Sequence, residues 1–165
     1  MRLEHWLPAY IGIGSNLGDS IKFIDSAILS LSQIESIRII EQSRVYRSKP
    51  LGPQDQPDFF NVVISVLTYL GPKSLLESMH DIEMFHGRER EQRWGARTLD
   101  LDLLAVAGKI FDDPDLILPH PRISERNFVL YPWCEIAPNF QIPNLGLVKD
   151  LTECAPKIPE IKLIE

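Results

Sequence analysis

Two helical stretches alternate with four apolar, β-rich runs in this chain, and that order limits the fold more than any other feature. The runs are rich in Ile, Val and Leu, and they predict strands at residues 10–14, 37–46, 61–69 and 99–107. Apolar residues at helical spacing predict helices at residues 21–34 and from Pro72 onward. The order β-α-β-β-α-β is that of a ferredoxin-like split βαβ sheet, so the predicted class is α+β.

The rest of the chain is predicted to add smaller elements to this core. Residues 119–126 should be irregular, and a short helix interrupted by Pro132 is predicted at 128–136. The tail from Pro138 is expected to be weakly structured. The length of 165 residues suits a single domain. We divide the chain into an N-terminal extension at 1–8, a core domain at 9–140, and a C-terminal tail at 141–165 that packs on the domain or trails it.

The charge of the chain argues against two classes of partner. There are 17 basic and 23 acidic residues, with a net charge of −6, so neither nucleic acid nor an anionic membrane surface is an expected partner. The two cysteines, Cys134 and Cys154, are too few for a disulfide framework and are predicted to be reduced thiols. We therefore expect a soluble, cytoplasmic protein.

Arginine is concentrated in one short segment. Four of the ten arginines fall within ten residues, namely Arg88, Arg90, Arg93 and Arg97. Such a cluster in an acidic protein points to a local anionic ligand. The alternative is a solvated face in which Glu89 and Glu91 pair with the arginines.

The segment Leu99–Leu103 reads Leu-Asp-Leu-Asp-Leu. In a strand, Asp100 and Asp102 point to the same side, roughly 6–7 Å apart, while the leucines fill the core on the other side. Two adjacent carboxylates repel each other unless a cation offsets their charge, and Mg²⁺ prefers oxygen ligands of this kind. The alternatives are an edge strand with two solvated aspartates, or pairing with nearby arginines.

Several other residues suit phosphate or ring recognition. A carboxylate pair with magnesium beside an arginine-rich loop is typical of phosphoryl transfer, and His120 and Arg126 offer two further phosphate contacts. Trp94, an aromatic ring in a polar loop, suits stacking on a flat heterocycle. The stretch Gly12–Gly18 does not match a phosphate-binding loop, so its glycines are predicted to serve a tight strand-to-helix turn.

Taken together, six stretches closely resemble the 6-hydroxymethyl-7,8-dihydropterin pyrophosphokinase family of folate biosynthesis. They are Ala9–Gly18 (AYIGIGSNLG), Leu51–Asn61 (LGPQDQPDFFN), Arg93–Asp102 (RWGARTLDLD), Pro119–Arg122 (PHPR), Arg126–Phe128 (RNF) and Glu135–Pro138 (EIAP). The resemblance covers residues 9–140 and implies a ferredoxin-like fold. It also implies a diphosphokinase that transfers the terminal pyrophosphate of ATP to the pterin hydroxymethyl group and releases AMP.

The resemblance assigns roles to individual positions. For catalysis it implies Arg88, Arg97, Asp100 and Asp102. For ATP it implies Glu83, Arg90, Trp94, Arg97, Leu103, His120 and Arg126. For the pterin it implies Ser48, Pro50, Leu51, Phe59, Asn61, Trp94, Asp100 and Phe128. The family implies that Asp100 and Asp102 hold two Mg²⁺ ions, with ATP as co-substrate, and we expect a monomer.

Two other classes of function remain open at this point. A metal-dependent phosphohydrolase or nucleotidyltransferase would use the same aspartates and arginines without a pterin pocket. A non-catalytic regulatory domain of the same fold would bind a small ligand and leave Asp100 and Asp102 without a purpose.

Overall fold

The computed structural model describes residues 2–87 and 98–164, and its elements follow the predicted order. The strands are β1 (Arg2–Ser15), β2 (Ile37–Gln42), β3 (Tyr46–Ser48), β4 (Phe59–Leu70), β5 (Asp100–Val106), β6 (Phe111–Asp113), β7 (Leu116–Leu118), β8 (Gln141–Ile142), β9 (Gly146–Leu147) and β10 (Ile161–Leu163). The α-helices are α1 (Ser20–Ser32), α2 (Pro72–Phe85), α3 (Asn127–Ile136) and α4 (Val148–Glu153). A single 3₁₀ turn at Ile123–Glu125 precedes α3.

The main sheet has the ferredoxin-like topology. Its strands lie in the order β10-β3-β4-β1-β5, and β2 pairs with β4 on the same side as β3. Every neighbouring pair in this sheet is antiparallel. The first and third predicted strands, which correspond to β1 and β4, are therefore central. Helix α1 connects β1 to β2 and helix α2 connects β4 to β5, so each of these helices joins two strands that are not neighbours in the sheet. This arrangement confirms the predicted α+β, ferredoxin-like class.

The strand predicted at residues 37–46 is in fact two strands, and the break between them has a local cause. The backbone N–H of Ser43 donates to Val63 O, while the N–H of Val63 donates to the Ser43 hydroxyl instead of a backbone carbonyl. The next N–H, of Arg44, donates to the carboxylate of Glu135 on α3. The side chains of Ser43 and Glu135 thus replace ladder partners, and the strand is interrupted between β2 and β3.

The sheet has two differently covered faces. Helices α1 and α2 cover one face, where Ile11, Ile13, Ile64 and other buried side chains form the larger core. On the other face, α3 and the segments that follow it form a second core around Trp133. Because α3 packs mainly on β4, this second face has room for a site beside the core.

Both ends of the chain are more regular than predicted. Strand β1 begins at Arg2 and not near residue 10, and Trp6 packs against Tyr69 of β4 with ring centroids 4.1 Å apart. The prediction of a weakly structured tail is wrong, since β8, β9, α4 and β10 follow α3. Helix α3 continues through Pro132 without interruption. Among the described residues, no helix is both long and apolar enough to cross a membrane.

Candidate active site

A row of three residues crosses the sheet at the carboxyl end of β1. Gly14 of β1 lies opposite Asn61 of β4 on one side and Asp100 of β5 on the other. A Cβ added to Gly14 would lie only 3.4 Å from Asn61 Oδ1. The glycine therefore leaves open the space between the amide of Asn61 and the carboxylate of Asp100.

The next row places Asp102 beside Asp100. Asp102 lies opposite Gly12 of β1, so each of the two carboxylates faces a residue without a side chain. Both aspartates are half-buried, and the leucines that alternate with them, Leu101 and Leu103, are buried in the helix-side core as predicted. Gly12 and Gly14 lie inside β1, as the strand predicted at residues 10–14 requires, and Gly18, with a φ of 69°, lies in the predicted turn between β1 and α1.

An arginine already contacts the aspartate pair. Arg126, immediately before α3, places Nη1 3.3 Å from Asp102 Oδ2, and the two side chains are 16% and 29% exposed. The structure thus contains the pairing of an aspartate with an arginine, one of the alternatives left open by the sequence. The guanidinium also lies near the ring of Phe128, 5.9 Å from its centroid.

His120 lies beside the same charges as a neutral imidazole. Its Nδ1 accepts a hydrogen bond from the backbone N–H of Arg122, so the ring proton is on Nε2. Burial, with the charge of Arg126 and Arg122, lowers the pKa of His120 to about 4, and Asp100 opposes the shift. At neutral pH His120 is therefore a hydrogen-bond donor without a positive charge.

The polar residues predicted on the pterin side form a network. Asn61 donates from Nδ2 to the hydroxyl of Ser48, at 2.9 Å, and to Tyr46 O, at 3.2 Å. Both Nδ2 hydrogens are thereby used within the protein, so Oδ1 is the atom that Asn61 presents on the side of Gly14. Ser48 is buried and serves to orient this amide.

The other residues predicted for the pterin vary in exposure. Pro50 is buried, Leu51 is 43% exposed, and Phe59 and Phe128 are half-buried. The loop that carries Pro50 and Leu51 is anchored at its far end, where Asn16 Nδ2 donates to Gln56 Oε1 and Pro57 O.

Two residues predicted to bind ATP face away from the open part of the sheet. Glu83 of α2 is buried, and its Oε2 accepts from the backbone N–H of Leu101 at 2.8 Å, which supports β5 at the edge of the described sheet. The side chain of Leu103 lies in the helix-side core, so only its main chain is available to a ligand on the aspartate side. The remaining predicted contacts lie outside the described residues; they are Arg88, Arg90, Trp94 and Arg97.

Some residues of the site region were not singled out by their sequence patterns. Glu135 accepts hydrogen bonds from the Arg44 backbone at 2.8 Å and the Tyr46 hydroxyl at 2.7 Å. Burial and Glu135 raise the pKa of Tyr46 to about 12. Asn127 and Asn16 are buried amides that fix neighbouring loops. Glu135, Asn127 and Asn16 all occur in the stretches that carry the family resemblance, and this was the available signal.

The chemistry of the aspartate pair suits magnesium that is shared with a substrate. The part of the chain that the structure describes contains no group of three or more His, Cys, Asp or Glu side chains able to hold a metal alone. Mg²⁺ usually keeps several water ligands and binds through one or two carboxylates plus substrate phosphates. Asp100 and Asp102 offer that number of carboxylates on an accessible strand.

Comparison with known proteins identifies a family and several relatives. A family model described as 7,8-dihydro-6-hydroxymethylpterin-pyrophosphokinase (HPPK) matches residues 10–138. A Haemophilus influenzae protein named 2-amino-4-hydroxy-6-hydroxymethyldihydropteridine pyrophosphokinase is 40% identical over 89% of this chain and 92% of its own length. Proteins of the same name from Methylorubrum extorquens and Bacillus subtilis are 43% and 42% identical, over 81% and 78% of this chain and 85% and 77% of their own lengths.

Solved structures agree on the fold. A crystal structure of an HPPK-DHPS in complex with substrates matches 90% of this chain and 43% of its own, with a TM-score of 0.69 and 14% identity. A wild-type Plasmodium falciparum HPPK-DHPS with pterin and p-hydroxybenzoate covers 92% of this chain and 42% of its own, with a TM-score of 0.68 and 13% identity. The chain spans less than half of those longer chains, and at this identity the likeness concerns the fold alone. On the strength of the family match and the curated relatives, the chain belongs to the 7,8-dihydro-6-hydroxymethylpterin-pyrophosphokinase family.

Proposed function

We propose that this chain transfers the pyrophosphoryl group of ATP to the hydroxymethyl group of 6-hydroxymethyl-7,8-dihydropterin and releases AMP, as a step of folate biosynthesis. Family membership and the names of the curated relatives support this activity. The single structural observation that carries it is the row Asn61–Gly14–Asp100, in which an amide suited to a heterocycle lies across an open glycine from a carboxylate suited to a metal. We further propose that the enzyme acts in the cytoplasm as a monomer.

Asp100 and Asp102 are the residues that would hold magnesium, and we propose two ions there. Held by these carboxylates, magnesium would offset negative charge on the phosphate oxygens. Gly14, opposite Asp100, has no side chain to hinder the approach of phosphate, whereas the side chain of Leu104 covers Gly12, 3.7 Å from where its Cβ would lie. No other described carboxylate completes an all-protein cage, in keeping with a metal that arrives with ATP.

The triphosphate would contact Arg126 and His120 on one side of the aspartates. Arg126 brings a full positive charge within 3.3 Å of Asp102, and His120 brings a neutral N–H donor. We assign further ATP contacts to the main chain of Leu103 and, from the segment outside the described residues, to Arg90, Trp94 and Arg97. Glu83 is buried behind β5 and would act on the site only through its hydrogen bond to the N–H of Leu101. Arg88 and Arg97 are the proposed catalytic arginines of that segment.

The pterin would lie on the side of Asn61. Its amide N–H and amino group are donors, and Asn61 Oδ1 is a matching acceptor because Ser48 and Tyr46 already take both Nδ2 hydrogens. Phe128 and Phe59 would contact the ring faces, and Pro50 and Leu51 would close the pocket from the loop, with Trp94 as a further contact.

The proposed reaction is a substitution at the β-phosphorus of ATP. The pterin hydroxyl oxygen forms a bond to that phosphorus, and the bond from it to the oxygen that bridges to the α-phosphorus breaks. AMP leaves with the electron pair of that bond, and the hydroxyl proton passes to solvent. The residues of this chain contribute by holding the two substrates in line and by balancing charge, which are the main sources of catalysis in phosphoryl transfer.

The decisive experiment identifies the nucleotide product. The chain is incubated with Mg-ATP, with and without 6-hydroxymethyl-7,8-dihydropterin, beside the nearly isosteric variant Asp102→Asn as a control for contaminating ATPases. We expect AMP from the parent only when pterin is present, and none from the variant. Nucleotide turnover without pterin would favour a phosphohydrolase, and no AMP under any condition would favour a non-catalytic binding domain.

A further inference from the structure

We infer that the C-terminal strand β10, together with Asn127, is a positioning element for the pterin. The inference rests on the proposed function; β10 lies outside the matched family region, which ends at residue 138, while Asn127 lies within it. It starts from a side chain that the reaction itself does not require: the amide of Asn127, which is 1% exposed. That amide connects the tail to the site.

Asn127 fixes the tail to the start of α3. Its Nδ2 donates to Pro159 O at 2.7 Å and to Pro156 O at 3.0 Å, so both hydrogens hold the tail. The amide nitrogen donates to both carbonyl oxygens, whereas the carboxylate of an aspartate at this position would repel them. Asn127 stands between Arg126, which contacts Asp102, and Phe128, which we place beside the pterin ring.

Strand β10 fixes the tail to β3 on the other side. Ile161 lies opposite Ser48, the residue that orients Asn61, and the N–H of Lys49 donates to Glu160 O at 3.1 Å. Glu135 holds only the beginning of β3, at Arg44 and Tyr46.

The tail therefore bridges the two walls of the proposed pterin pocket. One wall is the end of β3 with the loop that follows it, and the other is the start of α3. Strand β3 has only three residues and makes few bonds of its own, so its outer neighbour β10 determines how firmly its end is held. A looser β3 would let Ser48 and Asn61 move, which weakens pterin binding and leaves the aspartates on β5 unaffected.

The hydrogen-bond pattern between β10 and β3 suggests one test variant and two matched controls. Backbone bonds join Lys49 with Glu160 and Val45 with Ile164, so by antiparallel alternation the next bonded pair is Arg47 with Lys162. Lys162→Pro removes a donor that faces β3. Leu163→Pro introduces the same ring where the N–H faces away, and Lys162→Ala removes the charge alone. Lys162 and Leu163 are both exposed, so packing losses are small.

The first measurement compares the effect of each variant on KM for the pterin with its effect on KM for ATP and on kcat. We expect Lys162→Pro to raise KM for the pterin about tenfold, with kcat and KM for ATP changed by less than about threefold. Both controls should stay within about twofold of the parent. Asn127→Ala, which releases the other attachment, should show the same selective rise. Equal losses for both substrates, or a parental KM for pterin in Lys162→Pro, would overturn the inference.

A second measurement separates this inference from the proposed function. Hydrogen exchange of residues 45–50 in the ligand-free chain should be faster in Lys162→Pro than in Leu163→Pro and Lys162→Ala. Unchanged exchange would show that β10 does not hold β3. Faster exchange in Lys162→Pro, together with a parent that neither binds nor converts the pterin, would show that β10 does hold β3 and that the proposed function is wrong.

Discussion

We expect Arg126 and Asp102 to exchange partners when magnesium and ATP bind, and this can be measured without turnover. The guanidinium of Arg126 lies 3.3 Å from the carboxylate of Asp102, so we expect it to compete with a cation that binds this carboxylate. Arg126→Gln removes the competing charge and keeps a polar side chain with the same first three carbons. We expect the variant to bind a divalent cation more tightly than the parent in the absence of nucleotide.

The size of the effect follows from the geometry of the pair. The atoms are 3.3 Å apart, and the side chains are 16% and 29% exposed. Exposed pairs contribute about 0.2–1 kcal/mol, and breaking a fully buried one costs about 3–5 kcal/mol. A pair that is largely but not fully buried should lie between, at about 1.5 kcal/mol, which corresponds to about tenfold in affinity.

The assay is a titration of Mn²⁺, as a spectroscopic substitute for Mg²⁺, into parent and variant without nucleotide. Arg126→Gln should bind Mn²⁺ about tenfold more tightly, and should bind a non-hydrolysable ATP analogue about tenfold more weakly because a phosphate contact is lost. Arg38→Gln is the matched control for net charge, since Arg38 packs over Trp6 at the other end of the sheet. Mn²⁺ affinity that is unchanged or lower in Arg126→Gln would refute the exchange.

Three further predictions concern single groups of the site. Asp102→Asn should abolish AMP formation while thermal unfolding remains cooperative, as checked by chromatography of nucleotides and by circular dichroism. Glu83→Ala should lower the free energy of unfolding in urea by about 2–3 kcal/mol, because it leaves the N–H of Leu101 without its carboxylate acceptor, and Glu83→Gln should lose less. His120 has a folded pKa of about 4, below its unfolded value, so its contribution to stability is lost as pH falls from 6.5 toward 4. Between pH 7 and pH 5 the parent should therefore lose about 2 kcal/mol more than His120→Gln in urea unfolding, and parallel losses would contradict the neutral state of the imidazole.

The parts of the fold that follow from local patterns were predictable. Side chains alternate along a strand whatever its neighbours are, so the leucines around Asp100 and Asp102 had to be buried on the side opposite to the carboxylates. The order of strands and helices was equally local, and right-handed crossovers leave few topologies for it. The alternation of side chains and the order of elements were sufficient to predict the ferredoxin-like class and the carboxylate pair on one side of β5.

The parts that depend on distant residues were not predictable from pattern alone. The break after β2 requires the Ser43 hydroxyl to meet the N–H of Val63, 20 positions away. The tail has too few apolar residues in each short strand to give a periodic signal, and β10 exists because β3, more than 100 residues earlier in the chain, offers a free edge. The contact of Arg126 with Asp102 likewise joins two segments whose approach only the folded sheet determines.

At the glycines of β1, the local strand pattern and contacts with distant residues both matter. A glycine inside a strand normally weakens it, because it loses more backbone entropy and offers no side chain to the core. Gly12 and Gly14 nevertheless lie at the centre of the sheet, opposite Asp102 and Asp100. Strand β1 compensates with Ile11 and Ile13, which are fully buried on the helix side. The helix-side residues of β1 thus stabilise the sheet. On the opposite face Gly12 makes room for the side chain of Leu104, and Gly14 leaves space for the ligands that Asp100 and Asn61 would bind.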